Sequence, residues 1–161
     1  MTKFAPLVAA TMAGALVAVP AVATTVTSSF NVTANVQATC SVSATNMAFG
    51  AYTGVQLVST SSLSITCTNT TGYAVGLDAG TATGATVTSR KMTGPAAATL
   101  GYGLYRDGGH TSNWGQTAGT DTVAGTGSGT AQSLTVYGLV PAGQTPPAGS
   151  YSDTITVTVS Y

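Results

Sequence analysis

Charged side chains are scarce in this chain of 161 residues, which contains no glutamate, four aspartates, and four lysines and arginines in total. Only 5% of the residues are charged, and the formal net charge is zero. Binding to a nucleic-acid backbone needs clustered lysine and arginine, so nucleic acid is not an expected partner. Disordered chains combine high charge with low hydrophobicity. Because 43% of the residues here are apolar, we expect the chain to fold.

Groups suited to catalysis or metal binding are equally few, with one histidine and two cysteines. A structural zinc ion needs four ligands, which these residues do not supply. Asp107, His110 and Ser112 lie close together in the sequence, but the two glycines between Asp107 and His110 are typical of a polar turn. Catalytic triads are normally assembled from separate, rigid elements. We therefore predict no catalytic residue, metal ligand, cofactor or small-molecule substrate, and an enzyme is the least favoured interpretation.

A secretory signal peptide is predicted over residues 1–23. Lys3 supplies a positive start, and an apolar stretch over about residues 4–19 follows it. Pro20 then precedes Ala21-Val22-Ala23, which fits a small-residue cleavage site. A membrane anchor is the alternative, but the apolar stretch is short and has no flanking stop-transfer charges. We expect cleavage after Ala23 and export through the periplasm.

The two cysteines, Cys40 and Cys67, form an even pair in a chain that we expect to be exported, which favours a disulfide. They are 27 residues apart. In the chain-entropy treatment, closing a loop of that length stabilises the fold by about 3–4 kcal/mol. Two free buried thiols are the alternative, which would suit a cytosolic protein better.

After residue 23 the dominant pattern is an alternation of apolar and polar residues, which is typical of β-strands. No stretch of useful length has helical periodicity. Seven candidate strands are separated by connections rich in glycine, proline, serine and threonine, which favours a β-sandwich. The candidates are Phe30–Val42, Leu57–Thr68, Tyr73–Asp78, Thr86–Met92, Leu100–Arg106, Gln132–Gly138 and Tyr151–Tyr161.

Three shorter features have structural interpretations. The low-complexity stretch Gly115–Thr130 predicts a long exposed loop. The pair Arg90-Lys91 is too short a basic run to indicate more than a solvated edge. Tyr102, Tyr105 and Trp114 could form a platform for a sugar, but aromatic residues on strands more often pack in a core or across strands. Tyr102 and Tyr105 have opposite parity, so we expect one of them to be exposed.

The alternation at the start of the mature chain is unusually long. Predominantly apolar side chains recur at even positions from Val26 to Val42, with mainly polar residues between them. Fully extended, this stretch spans roughly 55 Å, whereas a domain of this size is about 30–35 Å across. The stretch must therefore bend sharply or leave its own domain, and its pattern still requires one buried face. We interpret its first half as a candidate strand for another molecule's sheet.

The last candidate strand has the same two-faced pattern. Threonine and serine occupy one of its faces, and the other carries Ile155, Val157, Val159 and Tyr161. No strand candidate follows it, so we expect one of its edges to be unpaired. An unpaired edge beside an open hydrophobic groove is an aggregation hazard unless another strand fills it.

An ordered set of motifs over essentially the whole mature chain resembles the spore coat protein U domain family, whose members include pilins of archaic chaperone–usher pili. The resemblance is greatest to major pilins of the Csu type. Each motif is short, and their order along the chain makes the set specific. The matching motifs are Cys40, Phe49-Gly50-Ala51-Tyr52, Ile65-Thr66-Cys67-Thr68, Tyr73-Ala74-Val75-Gly76-Leu77, Arg90-Lys91-Met92, Leu100-Gly101-Tyr102-Gly103-Leu104-Tyr105, Trp114-Gly115, Tyr137-Gly138 and Gly149-Ser150-Tyr151-Ser152-Asp153-Thr154-Ile155-Thr156-Val157.

The resemblance implies an all-β, immunoglobulin-like sandwich over residues 37–161 that lacks its final strand, with residues 24–36 as an N-terminal donor strand. A periplasmic chaperone would lend a strand, and an outer-membrane usher would exchange it for the donor segment of the next, identical or homologous subunit. The disulfide Cys40–Cys67 would join the first strand to the second. The implied donor side chains are Val26, Phe30, Val32, Ala34 and Val36, and the acceptor edge is Ile155, Val157, Val159 and Tyr161.

The expected function is accordingly that of a pilin that polymerises by donor-strand exchange into a surface pilus, used in attachment and biofilm formation. The main alternative is a monomeric secreted β-sandwich, such as a carbohydrate-binding or adhesive module. In that case the segment Val26–Val36 would fold back into the groove of its own chain.

Overall fold

The computed structural model describes residues 20–161, so most of the predicted signal peptide lies outside the described residues. Residues 20–34 form one unit of the chain and residues 35–161 another. No helix or strand is assigned from residue 20 to residue 39. The second unit contains eight strands and one short 3₁₀ turn, Pro95–Ala97. The strands are β1 (Cys40–Ala44), β2 (Leu57–Cys67), β3 (Gly72–Leu77), β4 (Arg90–Thr93), β5 (Thr99–Tyr105), β6 (Val123–Thr126), β7 (Gln132–Val140) and β8 (Val157–Ser160).

The strands form two antiparallel sheets that pack as an immunoglobulin-like sandwich, which confirms the predicted all-β fold class, whereas the N-terminal donor strand stays a prediction. One sheet has five strands in the order β1-β2-β7-β5-β4, and the other has three in the order β6-β3-β8. The long pairing of β2 with β7 runs from Leu57 opposite Val140 to Ile65 opposite Gln132. A pairing of this length fixes which residues of both strands face inward, because shifting the register by one residue would turn every side chain to the other face.

The core lies between the sheets and is built from the apolar positions of the alternating strands. In β2 and β7 the inward positions are odd and even respectively, as the antiparallel register requires. The buried apolar residues are Leu63, Ile65, Cys67, Tyr73, Val75, Leu77, Leu100, Tyr102, Leu104, Trp114, Val136 and Val140. Outward positions of β2 are mostly serine and threonine, so the pattern read from the sequence corresponds to the two faces of the sheet.

The predicted disulfide Cys40–Cys67 is present and joins the first residue of β1 to the last residue of β2. The same junction is reinforced by hydrogen bonds between neighbouring threonines. The Thr39 amide donates to Thr68 Oγ1 at 3.0 Å, and the Thr68 amide donates to the Thr39 carbonyl at 2.9 Å. The place where the N-terminal segment joins the sandwich is therefore fixed covalently and by hydrogen bonds.

Two expectations about chain organisation are wrong. The stretch Gly115–Thr130 is not one long exposed loop, because it contains β6, whose residues Val123, Ala124 and Gly125 pair with β3. The predicted strand Phe30–Val42 is assigned as a strand only from Cys40 onward. Low-complexity composition conceals a strand as short as β6, since four residues provide only two inward positions.

The last candidate strand, Tyr151–Tyr161, switches between the two sheets. Ser152 exchanges backbone hydrogen bonds with Thr93 at the end of β4, in continuation of the five-stranded sheet. Five residues later, β8 pairs with β3 in the three-stranded sheet. The chain crosses from one sheet to the other over residues 153–156.

Arg90 is fully buried, so the interpretation of Arg90-Lys91 as a solvated edge is wrong for the arginine. Its guanidinium donates to four backbone carbonyls from three separate segments. The acceptors are Asp78 (2.8 Å), Val87 (2.6 Å), Leu77 (2.9 Å) and Trp114 (2.7 Å). Burial lowers the pKa of Arg90, an effect that nearby Tyr102 and aspartates partly offset. An arginine remains protonated in proteins, so the four carbonyls solvate a permanent charge.

Candidate functional site

An open cleft of about 470 Å³ is lined by residues of both sheets. One rim is formed by the end of β1 and the chain that follows it, over residues 44–49, and the other by residues 151–157, which include the first residue of β8. Core side chains form the apolar floor, namely Leu63, Leu77, Leu104 and Val136. The cleft is therefore an opening into the hydrophobic core and not a surface depression.

The β8 rim of the cleft is a sheet edge. Within residues 20–161, β8 has a hydrogen-bonded neighbour on one side only, which is β3. Ile155 and Val157 line the cleft and are half-buried, and Val159 is half-buried one step further along. Tyr161, predicted on the same edge, is 62% exposed and does not line the cleft. Three of the four predicted edge side chains thus face inward beside an unpaired backbone.

Along the opposite rim, the residues that face inward change from even-numbered to odd-numbered positions. In β1 the even positions face the sandwich interior, and Val42 there remains 38% exposed. After residue 45 the odd residues Met47 and Phe49 turn inward and are half-buried against the core. Phe49 packs edge-on against Tyr102, with ring centroids 6.2 Å apart. These two side chains cover one end of the core, whereas the inward side of β1 is left uncovered.

Gly138 leaves the space that the side chains of Met47 and Phe49 occupy. It faces inward on β7, and a Cβ atom placed there would overlap Met47 Sδ and the Phe49 ring. We expect Gly138→Ala to lower the free energy of unfolding by about 1–3 kcal/mol, because overpacking forces neighbouring side chains out of their rotamers. The measurement is thermal unfolding by circular dichroism. Gly72→Ala is the matched control, since a Cβ there meets no atom within 4 Å. Equal stability of the two variants would contradict this packing.

A carboxylate closes the end of the cleft at which the last strand changes sheets. Asp153 Oδ1 accepts hydrogen bonds from the Thr81 amide and hydroxyl, both at 2.8 Å, and Oδ2 accepts one from the Tyr102 hydroxyl at 2.7 Å. Gly80, with φ of +82°, leaves the space that the carboxylate occupies. Asp153 therefore ties the loop after β3 to β5 and holds the crossing strand.

The hydrogen bonds at this corner set the pKa values of its groups. Partial burial raises the pKa of Asp153, but hydrogen bonds from Thr81, Tyr102 and Thr154 outweigh it, so the net pKa lies below the usual value. Burial, and then the hydrogen bond to Asp153, raise the pKa of Tyr102 well above the usual value for a phenol. Near neutral pH the corner therefore consists of an ionised carboxylate and a neutral phenol.

Acid is expected to weaken this corner. Because the folded-state pKa of Asp153 lies below that of an unfolded aspartate, about 3.9, its stabilisation is complete above that value and is lost as pH falls through the folded-state pKa. We expect Asp153→Asn to lower the midpoint of thermal unfolding at pH 7. We also expect the variant to lose less stability than the wild type between pH 5 and pH 2. Parallel pH profiles for the two proteins would contradict the assignment.

The predicted donor segment is highly exposed. Val26, Phe30, Val32 and Val36 are between 81% and 97% exposed, although they are among the most apolar residues of the N-terminal segment. Alternation places them on one face of an extended chain. A run of exposed apolar side chains with this spacing is suited to burial against a partner.

The structure separates the other candidate residues. Asp107 accepts hydrogen bonds from the amides of Thr111 and Ser112, as the predicted polar turn requires, and these amides lower its pKa. The His110 amide donates to the Asp107 carbonyl at 3.1 Å, as in a turn, and within residues 20–161 no hydrogen bond joins the Asp107 carboxylate to the His110 imidazole. Residues 20–161 contain no group of three or more side chains that could hold a metal ion. No helix within the same residues is long and apolar enough to cross a membrane.

Fold and cleft together define the class of protein, an immunoglobulin-like sandwich with one strand position open. The sequence profile of the Spore Coat Protein U domain matches residues 26–158. Protein U of Myxococcus xanthus is 38% identical over 171 aligned positions, which cover 95% of each chain. The chain therefore belongs to the spore coat protein U domain family.

A solved structure has a similar fold. It is the complex of a chaperone with a tip adhesion subunit, a pre-assembly complex from the archaic chaperone–usher Csu pili of Acinetobacter baumannii. The TM-score is 0.60 and the sequence identity is 23%. The match covers 78% of this chain and 40% of that chain, so the present protein spans well under half of the solved chain.

Proposed function

We propose that this protein is a structural subunit of a surface pilus and that it polymerises by donor-strand exchange. The segment Val26–Val36 of one copy lies in the cleft of the next, beside β8, and completes its sheet. The observation that carries this proposal is the cleft itself, in which an apolar floor lies beside an edge strand with one unpaired side. An edge of this kind is a template for an added strand.

The segment and the cleft are chemically complementary. The cleft floor is aliphatic, and the inward face of the segment presents Phe30, Val32, Ala34 and Val36. Burying one phenylalanine and two valines contributes roughly 1.5–3 kcal/mol each before the cost of ordering the segment. Backbone hydrogen bonds to β8 add affinity, and the alternating side chains set the register.

The same proposal identifies partners and location. An open cleft invites aggregation, so before polymerisation a periplasmic chaperone supplies a temporary strand, and an outer-membrane usher exchanges it for the next donor segment. The signal peptide, residues 1–23, directs export, and the fibre is displayed at the cell surface, where it serves attachment and biofilm formation. The 5% charged composition suits subunits whose neighbours pack closely along a fibre.

Deletion of residues 24–36 behind an intact signal peptide tests the proposal. We expect the truncated subunit to accumulate in complex with the chaperone and to form no polymer, because its cleft is intact and its donor strand is absent. If the segment instead fills the cleft of its own chain, truncation destabilises the monomer itself, and the full-length protein is found as single subunits in the medium. A chaperone pull-down together with gel filtration of the secreted material distinguishes the two outcomes.

A further inference from the structure

The outer face of the five-stranded sheet carries an aromatic cluster that plays no part in the cleft. Tyr105 of β5 lies directly opposite Tyr137 of β7 in the strand register. The inward-facing residues of β5 and β7, which include the buried Tyr102, are at even positions, whereas Tyr105 and Tyr137 are at odd positions. Both side chains therefore point away from the core, and both are half-buried. Trp114 and Tyr102 are buried in the core, which leaves Tyr105 as the outward-facing member of the three aromatics considered from the sequence.

Glycines and a rigid turn hold this cluster in place. The ring of Tyr105 lies across Gly103, where a Cβ atom would be 2.5 Å from the phenol oxygen, and the ring of Tyr137 lies beside Gly108. His110 packs edge-on against Tyr105, with centroids 5.3 Å apart. The backbone of His110 has a φ of +54°, and the Asp107 carboxylate fixes that turn through Thr111 and Ser112.

The polar atoms of the cluster are free. Four of the tyrosines, at positions 52, 73, 102 and 151, donate their hydroxyl protons to other groups of the protein. Within the part of the chain that the structure describes, the hydroxyls of Tyr105 and Tyr137 and the imidazole of His110 have no hydrogen-bond partner. The neighbouring charges point elsewhere, since Asp107 is engaged by its own turn and Arg106 donates to the Thr122 carbonyl.

We propose that the cluster of Tyr105, Tyr137 and His110 binds a neutral polysaccharide, with pyranose rings lying on the tyrosine faces. Fixed aromatic faces supply apolar contact, and a few convergent polar groups supply orientation, which is the composition of a small-ligand site. Val58 and Leu139 extend the apolar surface, and Thr60, opposite Tyr137, adds a hydroxyl. The charged residues next to the cluster in the sequence, Arg106 and Asp107, make hydrogen bonds with their own surroundings, which leaves the tyrosine and histidine groups to contact an uncharged ligand.

A fibre would multiply a weak site. Each subunit of the proposed pilus carries one copy of the cluster, and linked sites can raise overall avidity by roughly 10²–10⁴ over a single site. A neutral polysaccharide would be the class of ligand to which the proposed pilus attaches, and in this respect the inference rests on the proposed function. The site itself belongs to a single sandwich, so binding by a monomer is equally measurable.

The test is retention of the secreted full-length protein on microcrystalline cellulose, with polygalacturonate as an anionic comparison and polystyrene beads as a test of general adhesion. We expect retention on cellulose to fall at least tenfold in Tyr137→Leu and in Tyr105→Leu, and to be unchanged in Val55→Ala, whose exposed side chain lies outside both the cluster and the cleft. Tyr105→Phe keeps the ring over Gly103 and replaces Tyr105→Leu in the test if that variant folds poorly. We expect Tyr105→Phe to retain most of the binding.

No retention of the wild type on cellulose, equal retention of all variants, or equal retention on polystyrene would each overturn the inference. Polymer formation is assayed on the same samples by electrophoresis without heating. Tyrosine-dependent binding by a protein that forms no polymer would refute the pilus proposal and leave the saccharide site standing. Polymers that do not bind cellulose would refute the saccharide site and leave the pilus proposal standing.

Discussion

We expect Val32→Asp to abolish polymer formation and Thr33→Asp, one residue further along, to leave it intact. The two positions are adjacent in the donor segment but face opposite sides of an extended strand. In the proposed complex the side chain of residue 32 enters a cleft that has an aliphatic floor and no lysine or arginine in its lining. Burial of an unpaired carboxylate costs several kcal/mol, which exceeds the gain from any single apolar side chain of the segment.

The pair of variants is matched in charge and in position along the chain. Material sheared from cells is separated in SDS without heating, and we expect a ladder of multimers for Thr33→Asp and single subunits, or none, for Val32→Asp. Loss of the ladder in both variants would show that added charge alone disrupts the fibre. A normal ladder for Val32→Asp would place its side chain outside the cleft.

Arg90→Met is expected to have the largest effect on the stability of the sandwich itself. The substitution leaves four buried carbonyls, those of Leu77, Asp78, Val87 and Trp114, without their donors. An unsatisfied buried polar group costs about 1–3 kcal/mol, and disruption of a buried charge network costs on the order of 3–5 kcal/mol. For a domain of this size such a loss lowers the thermal midpoint by roughly 10–20 °C.

Lys91→Met is the matched control for this prediction. Lys91 is the next residue on the same strand, but its ammonium group makes only an exposed contact of 3.4 Å with the Gly84 carbonyl. We expect its thermal midpoint to stay within about 2 °C of the wild type, since exposed charges contribute little. Arg90→Lys should lie between the two, because an ammonium group cannot reach four acceptors with the geometry of a guanidinium. Equal midpoints for Arg90→Met and Lys91→Met would contradict the structural role of the buried arginine.

Alternation in the sequence is sufficient to predict most of the sandwich. β2, β3, β5 and β7 lie within two residues of their predicted bounds, because each has several consecutive inward positions. β6 was missed because a glycine- and threonine-rich stretch offers little contrast between its two faces. Composition predicts an exposed loop there, whereas pairing with β3 decides the outcome. The disulfide followed from cysteine count and the expectation of export.

The cleft was predicted only in outline. The two-faced pattern of Ile155 and Val157 predicts an edge that needs a partner, and both residues line the cleft. Asp153 interrupts the apolar face of this pattern, but one polar residue does not by itself indicate that the chain changes sheets there. Backbone pairing, which periodicity does not encode, determines that crossing.

Arg90 was misinterpreted for a related reason. A charged residue beside a lysine is typical of a solvent-exposed strand edge. Its burial depends on carbonyls that three separate segments bring together, and no local pattern records their approach. Similarly, the opposite parity of Tyr102 and Tyr105 predicts that one of them is exposed. The pairing of Tyr105 with Tyr137 depends on the register of β5 against β7, which the sequence pattern does not give.

The most direct test of the central proposal is to locate Phe30 in the working protein. A photoreactive phenylalanine analogue at position 30 is incorporated in cells, the sheared material is irradiated, and the cross-linked peptides are identified by mass spectrometry. Donor-strand exchange predicts cross-links to the cleft residues Leu63, Leu77 or Val157 in a species of twice the subunit mass. Cross-links to those residues within a single chain would show that the segment fills its own cleft, and cross-links that avoid the cleft altogether would contradict both alternatives.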